Sequence, residues 1–364
     1  MLFHTSFSEQ FSATFPYLNS IADAGHLGVP MFFVISGFCI TASAVSLLPR
    51  KDVLREFAKR RFFRIYPTYW FSIAVVIALP FFSELLSAIK TGHLAYPSCS
   101  NYAFFRFSPL EWLRYFTLSQ IFYPFENLTF IEKKFSAFNA VYWTLALEVQ
   151  FYGVVFIALI FRRFFYHILA AVTIVSLPFA ALGKLYTNGI FLPYWPMFAL
   201  GAVVFVLTTP DPFSNKTAYV GKFFSPWLSG VLISLLALSA VGLIILGFKF
   251  PDFLFALVFA SGLFLALSNV KPGKTKSKEP QKTSAAVLTR FFDRVLMTLG
   301  LMSYSLYLVH TKVLILSDQV IRQLLTPGIL FDVSSILLAL AIIYLFYLAC
   351  ERPFTQVKRR NTSN

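Results

Sequence analysis

Charge is scarce in this chain. Only 13% of its 364 residues are Asp, Glu, Lys or Arg, whereas 57% are hydrophobic and the mean hydropathy is +0.70. Too few charges remain to cover a water-soluble surface, which excludes the pair of soluble domains that the length would otherwise allow. Acidic residues are the rarer sign, 16 against 31 basic, for a net charge of +15. That excess does not point to nucleic acid, because the basic residues cluster between apolar runs. Cysteine is nearly lacking: Cys39 and Cys350 lie in apolar runs and Cys99 stands alone in a loop, so there is no disulfide framework. No cysteine–histidine cluster has metal-ligand spacing, and no metal is expected. Long alternating stretches of the membrane β-barrel kind are missing too. Nor does an apolar leader follow Met1, where His4, Ser6, Ser8 and Glu9 come at once.

Long apolar runs are what the chain does have. Those fit to span a bilayer, which takes about 20 residues, are 28–48, 62–82, 141–161, 165–182, 190–207, 227–246, 253–269, 295–316 and 333–350. The expected fold is therefore all-α, a polytopic transmembrane helical bundle of nine spans forming one domain over residues 1–354. Residues 110–122 are apolar but short and carry Glu111 and Arg114, so they read as an interfacial or re-entrant helix on the outer side. Arg50, Lys51, Arg55, Lys59, Arg60, Arg61 and Arg64 mark the first connection as cytoplasmic. Counting on, Arg162/Arg163, Lys216/Lys222, the lysines of 271–282 with Arg290/Arg294, and the tail Lys358–Arg360 fall on the same side, provided that 110–122 does not cross. The C-terminus is then cytoplasmic and residues 1–27 lie outside. The stretch 271–285 reads as a flexible cytoplasmic linker and 355–364 as a basic tail. Residues 84–139 form the largest outer piece, positioned to cover a site near the outer leaflet. No internal repeat suggests an inverted-repeat transporter.

The run 141–161 carries Glu148 about 10 Å in from its start. An ionised side chain within hydrocarbon costs roughly 2.5–3.5 kcal/mol even on lenient scales. Such a residue either marks a substrate or proton path or is a structural carboxyl, protonated or paired. Thr144, Glu148 and Tyr152 share one helix face by their spacing. Arg61 and Arg64 stand one turn apart, fit either for the phosphates of a cofactor or for lipid headgroups beside a topogenic cluster. Pro67 is expected to bend that helix. Ser303, Tyr307 and His310 make a polar stripe, functional or a packing seam. His4 is either a general base or an exposed terminal histidine; His26 and His93 are loop residues. Gly28, Ser36 and Gly37 are small residues suited to close helix packing.

Several of these stretches together resemble the acyltransferase-3 family of integral membrane acyltransferases. LGVPMFFVISGF (27–38) resembles the family's second-helix signature. RRFFRIYPTYW (60–70) resembles its arginine-x-x-arginine motif, and VYWTLALEVQFY (141–152) its tryptophan-x-x-x-x-glutamate element, built on Trp143 and Glu148. SYSLYLVH (303–310) and CERPF (350–354) resemble the two C-terminal elements, all in family order.

The resemblance implies acyl transfer, usually of acetyl from acetyl-CoA, to a hydroxyl of a cell-envelope sugar. It places the protein in the bacterial inner membrane, with a carbohydrate or lipid-linked glycan acceptor, membrane lipids around it and no nucleic acid. MLFHTSF (1–7) resembles the end of the family's first helix, which maps its catalytic histidine onto His4 and leaves that helix cut short, without its upstream basic residue. Arg61 and Arg64 would hold the donor phosphates. His4, oriented by Glu148, would take the proton of the acceptor hydroxyl, with Trp143, Tyr152, Ser303, Tyr307 and His310 in support. Two other readings stay open: a transporter of a lipid-linked or anionic glycan, and an inactive truncated homologue.

Overall fold

The computed structural model describes residues 8–17, 24–92, 103–122, 135, 137–182, 189–209, 251–268 and 284–356. Within them all regular structure is helical and no strand occurs. In chain order the helices are α1 (Glu9–Thr14), α2 (Gly28–Val45), α3 (Val53–Thr91), α4 (Pro109–Phe116), α5 (Trp143–Ile160) and α6 (Phe165–Leu182). They continue with α7 (Trp195–Thr208), α8 (Pro251–Ser268), α9 (Ser284–Leu301), α10 (Ser303–Ile321), α11 (Ile329–Phe346) and α12 (Arg352–Gln356).

Five helical stretches are long and apolar enough to cross a bilayer: Gly25–Val45, Val53–Ile89, Ala140–Ile160, Arg162–Ala180 and Ile329–Thr355. A sixth arises if Asp293–Leu301 and Ser303–Ile321 count as one broken span. The straight span expected over 295–316 is thereby corrected, since the chain bends by 76° between α9 and α10. Two sequence features favour the break. Gly300 weakens the helix there, and the new helix start at Ser303 has its own partner, described below. Expected spans 190–207 and 253–269 appear as the shorter apolar helices Trp195–Thr208 and Asp252–Ser268. Pro196 at the first positions of α7 explains the first of these, because proline is tolerated at a helix start but not inside. The expected span 227–246 lies outside the described residues.

The chain divides into two compact units. One comprises Leu27–Arg60 and Thr144–Lys276. Its tightest joint is between α2 and α7. A Cβ on Gly37 would lie 1.9 Å from the carbonyl oxygen of Phe198, and one on Gly201 would lie 1.9 Å from that of Val34. Glycine is thus obligatory on both sides of this crossing, and the packing role expected for Gly37 holds. Gly28 is different, with nothing within 4 Å of its added Cβ. Around the crossing, Phe151 packs on Phe33 and Phe198 with ring centroids 5.5 and 4.8 Å apart, and Trp195 lies 4.8 Å from Phe198. Two of the basic clusters assigned to one side also meet here: Arg162 donates to the carbonyls of Leu48 (3.2 Å) and Lys51 (3.3 Å). Beside them Arg50 pairs with Asp52 at 2.9 Å, and that hydrogen bond holds the Asp52 carboxyl below the usual carboxylate range.

The other unit comprises Met1–His26, Arg61–Trp143 and Ser277–Asn364. α1 is fastened to α11 through Ser8, whose hydroxyl (2.6 Å) and backbone N–H (3.1 Å) both donate to Asp332 Oδ2. α4 is defined by the S-P-x-E pattern of its start. Ser108 and Glu111 satisfy each other's backbone N–H groups, and Pro109 occupies the first turn. Its far end leaves carbonyls without helical partners. The α3 side chains supply them: Tyr69 donates to Tyr115 O (2.7 Å), Trp70 Nε1 to Phe116 O (3.0 Å) and Tyr66 to Thr117 O (3.4 Å). The short helix therefore ends beside α3 only a few residues past Arg64, instead of beyond the far end of α3. Burial against this cluster pushes the Tyr115 hydroxyl pKa above its ordinary value.

Candidate active site

In the second of these units the arginine motif meets both C-terminal elements. Arg64 projects from α3, and its Nη1 lies 3.0 Å from Glu351 Oε1. Glu351 is fully buried. Its other oxygen accepts from the hydroxyl (2.6 Å) and the backbone N–H (3.0 Å) of Ser305. Ser305 is the third residue of α10, so the carboxylate takes a helix-start N–H that has no partner within the helix. A negative charge at that end also suits the helix dipole. The 76° bend is what creates this helix start.

Local backbone geometry brings Glu351 into place. Residues Tyr347–Glu351 form a single π-helical turn between α11 and α12. Such turns widen a helix by one residue and release carbonyls from the α pattern. Here Thr68 of α3 donates to the Cys350 carbonyl at 3.2 Å. Arg64 Cζ also lies 5.3 Å from the ring centre of Tyr304, within cation–π range. Tyr304 is held by its hydroxyl, which donates to Ile65 O at 2.9 Å. Arg64 is thus oriented by a carboxylate and an aromatic face while keeping 43% of its side chain exposed. Arg61, one turn earlier on α3, is half-buried. Glu351, Ser305, Tyr304 and Thr68 went unselected on sequence, although three of them sit inside the motifs that pointed to Arg64 and the stripe on α10.

The predicted stripe on α10 divides. Ser303 is exposed and has no part in the Glu351 network, where Ser305 takes its place. The Tyr307 hydroxyl donates to the Val141 carbonyl at 2.5 Å. Asn139 reinforces this seam, donating to Leu308 O (2.9 Å) and accepting from Thr311 (3.1 Å). Tyr307 thereby joins α10 to the residues 139–141 of the same unit. His310 is buried, with Nδ1 2.9 Å from its own helix's carbonyls at Leu306 and Tyr307. A proton on Nδ1 fits that environment. Trp143, the first residue of α5, is buried in the same unit.

In the unit containing Leu27–Arg60, Glu148 is buried on α5 and its Oε1 accepts from the Tyr152 hydroxyl at 2.6 Å. The expected sharing of a face is realised as this hydrogen bond between residues one turn apart. Thr144, one turn before, is fully buried. His4 and His93 lie outside the described residues; His26 sits in a 3-10 turn, Ala24–Leu27. Among the described residues no three His, Cys, Asp or Glu gather as metal ligands.

The profile of the acyltransferase-3 family, described as an acyltransferase domain, matches residues 1–348. The chain belongs to the acyltransferase-3 family. Similar curated proteins include the O-acetyltransferase OatA of Staphylococcus aureus strain NCTC 8325 / PS 47 and its counterpart in strain COL. Each is 33% identical over 132 residues, covering 35% of this chain. The match spans 19% of those proteins' length, so the chain is similar to a limited part of them. No solved structure matches. Within this acyltransferase-3 chain, the arginine motif and the two C-terminal motifs converge on one ionic cluster, a relationship that the linear order of the motifs does not express.

Proposed function

We propose that the protein is a membrane O-acyltransferase that moves an acetyl group from acetyl-CoA to a hydroxyl of a cell-envelope polysaccharide, lipopolysaccharide or exopolysaccharide sugar. The observation that carries the reading is Arg64, a motif arginine oriented by Glu351 and Tyr304 with 43% of its side chain exposed. A planar guanidinium matches phosphate oxygens in pairs. Arg61 and Arg64 are assigned to the phosphates of the CoA moiety, reached from the cytoplasm. The similarity to an O-acetyltransferase supports acetyl as the group transferred.

The reaction is a simple exchange. The acceptor hydroxyl loses its proton to a general base, which we assign to His4. The oxygen attacks the thioester carbonyl, an ester forms, and the CoA thiolate leaves and takes up the proton. Glu148, whose carboxyl accepts from Tyr152, is assigned with His4 as a catalytic residue of this exchange. The proposed setting is the inner membrane, with nine spans, a cytoplasmic C-terminus, and α4 as a re-entrant helix. Its end beside Tyr66, Tyr69 and Trp70 supports the last of these.

Two measurements test the proposal. CoA should raise the melting temperature of the purified protein, since a ligand selective for the folded state stabilises it. An Arg61→Ala/Arg64→Ala double variant should lose that shift, and a transporter of anionic glycans would show no shift at all. NMR of cell-surface glycan with and without the gene should show acetyl signals only with it. His4→Ala should abolish those signals, and their persistence would overturn the base assignment.

A further inference from the structure

In the unit holding Arg64, a second polar site lies toward the other end of α3. It is a cavity of about 180 Å³ between α3, α10 and the residues around Phe104 and Ala137. One water needs only roughly 10–15 Å³ of such space, so this volume accommodates a ring-sized group. Its walls are mainly apolar, with Pro80, Phe104 and Leu316 among them. Three polar side chains enter it: Lys312, Gln319 and Ser83. The nearest lining residue of α3, Val76, stands about 18 Å beyond Arg64 along the helix axis at 1.5 Å per residue. The cavity and the arginine motif therefore occupy separate levels of the same unit.

Lys312 makes the site unusual. It lies half-buried on a largely apolar helix, and among the described residues no carboxylate forms an ion pair with it. An ammonium in such a setting is costly, and residues of this kind mark sites for substrates. The neighbouring groups are organised. Ser83 donates to Gln319 Oε1 at 2.9 Å, which turns the two N–H groups of Gln319 Nε2 outward from that bond. The lining thus combines an ammonium on Lys312, an amide on Gln319 and a hydroxyl on Ser83. This set matches a ligand with one negative charge, several acceptor oxygens and a hydroxyl to donate, and the apolar walls suit the C–H faces of a sugar ring.

We infer that this cavity binds an acidic sugar residue of the acceptor, with its carboxylate or phosphate on Lys312 and its hydroxyls on Gln319 and Ser83. The inference rests on the acyltransferase reading for the word acceptor, and on the cavity alone for the class of ligand. It places donor and acceptor recognition at different levels of one unit.

The test uses the full chain in nanodiscs of neutral phosphatidylcholine, with glucuronate and glucose as probes and ligand-observed NMR as readout. Glucuronate should bind about tenfold more tightly than glucose, the scale of one hydrogen bond to a charged group. Lys312→Gln should remove that preference, Lys312→Arg should keep most of it, and CoA binding should be unchanged in both, which shows that they fold. Equal binding of the two sugars, or a preference that survives Lys312→Gln, overturns the inference. So does loss of glucuronate binding when phosphatidylglycerol is added, because the cavity would then serve a lipid headgroup. Failure of the two proposals is separable. Glucuronate binding that depends on Lys312 without acetyl transfer keeps the cavity and overturns the activity. Acetyl transfer with sugar binding indifferent to Lys312 does the reverse.

Discussion

Arg64 and Glu351 form an ion pair at 3.0 Å although 287 residues separate them in the chain. The pair is asymmetric: the Glu351 side chain is fully buried and that of Arg64 is 43% exposed. The carboxylate is the fixed partner, held by two hydrogen bonds from Ser305, and the guanidinium is the one that faces outward. This asymmetry separates the effects of changing either residue.

Removal of Arg64 strands a buried carboxylate. Arg64→Ala is expected to destabilise the protein by about 2–3 kcal/mol, below the range for a fully buried pair because the arginine is partly solvated. Thermal unfolding should show it, and Arg64→Lys should restore part of the loss without restoring CoA affinity, since lysine lacks the fork.

Glu351→Gln is expected to act mainly on the ligand. The amide can still accept from Ser305, yet it turns an N–H toward Arg64 and releases its orientation. CoA affinity should fall about tenfold, or roughly 1.4 kcal/mol, with a smaller change in melting temperature. A titration of CoA against the two proteins decides it. Unchanged affinity would mean that Glu351 serves only the packing of α10.

The α2–α7 crossing should tolerate no side chain. Gly37→Ala and Gly201→Ala each drive a methyl into a backbone carbonyl that cannot rotate away, with an expected cost of about 3 kcal/mol or more. Gly28→Ala, on the same helix with open space around it, is the control and should behave as wild type. Yield of folded protein in detergent and its melting temperature report the difference.

Tyr152→Phe removes the hydroxyl that donates to Glu148 at 2.6 Å. A hydrogen bond to a charged group is worth about 1.5–3 kcal/mol, so stability and glycan O-acetylation should both drop. Glu148→Gln keeps a partner for the hydroxyl but removes the charge. Loss of O-acetylation in that variant with near-normal stability would mark the charge as functional, and full O-acetylation would make it structural.

Trp70→Phe deletes the indole N–H that satisfies the Phe116 carbonyl. The expected cost is modest, about 1 kcal/mol, but it is local. Hydrogen exchange of amides 110–116 should accelerate while the rest of the unit is unaffected.

Much of the fold was legible because apolar length is a strong signal. The runs starting at 28, 62, 141, 165 and 333 all correspond to candidate spans. What hydropathy could not reveal was the break at Met302, since LGLMSYSLY is apolar on both sides of the bend. Gly300 is the local signal for it, and Glu351, which bonds the new helix start, is far away in sequence. Ser303 was selected and Ser305 missed because i, i+4 spacing from Tyr307 picks Ser303, whereas Ser305 is marked out by Glu351. Glu148 and Tyr152 were readable because i, i+4 contacts are local. Gly201 escaped notice because its need for glycine comes from Val34 across the crossing and not from its own neighbours.

The π turn at Tyr347–Glu351 carries one more residue than the α-helix around it would need. Each residue of an α-helix advances its side chain by about 100° around the axis. Winding all five residues of that turn as regular α-helix, at about 100° each, would carry Glu351 round the axis and away from Arg64 and Ser305. The helix would gain a regular ladder and the arginine would lose its anchor. The ionic cluster therefore depends on the winding of these five residues as well as on their identity: the wide turn is what lets a chain of this length present Glu351 to Arg64.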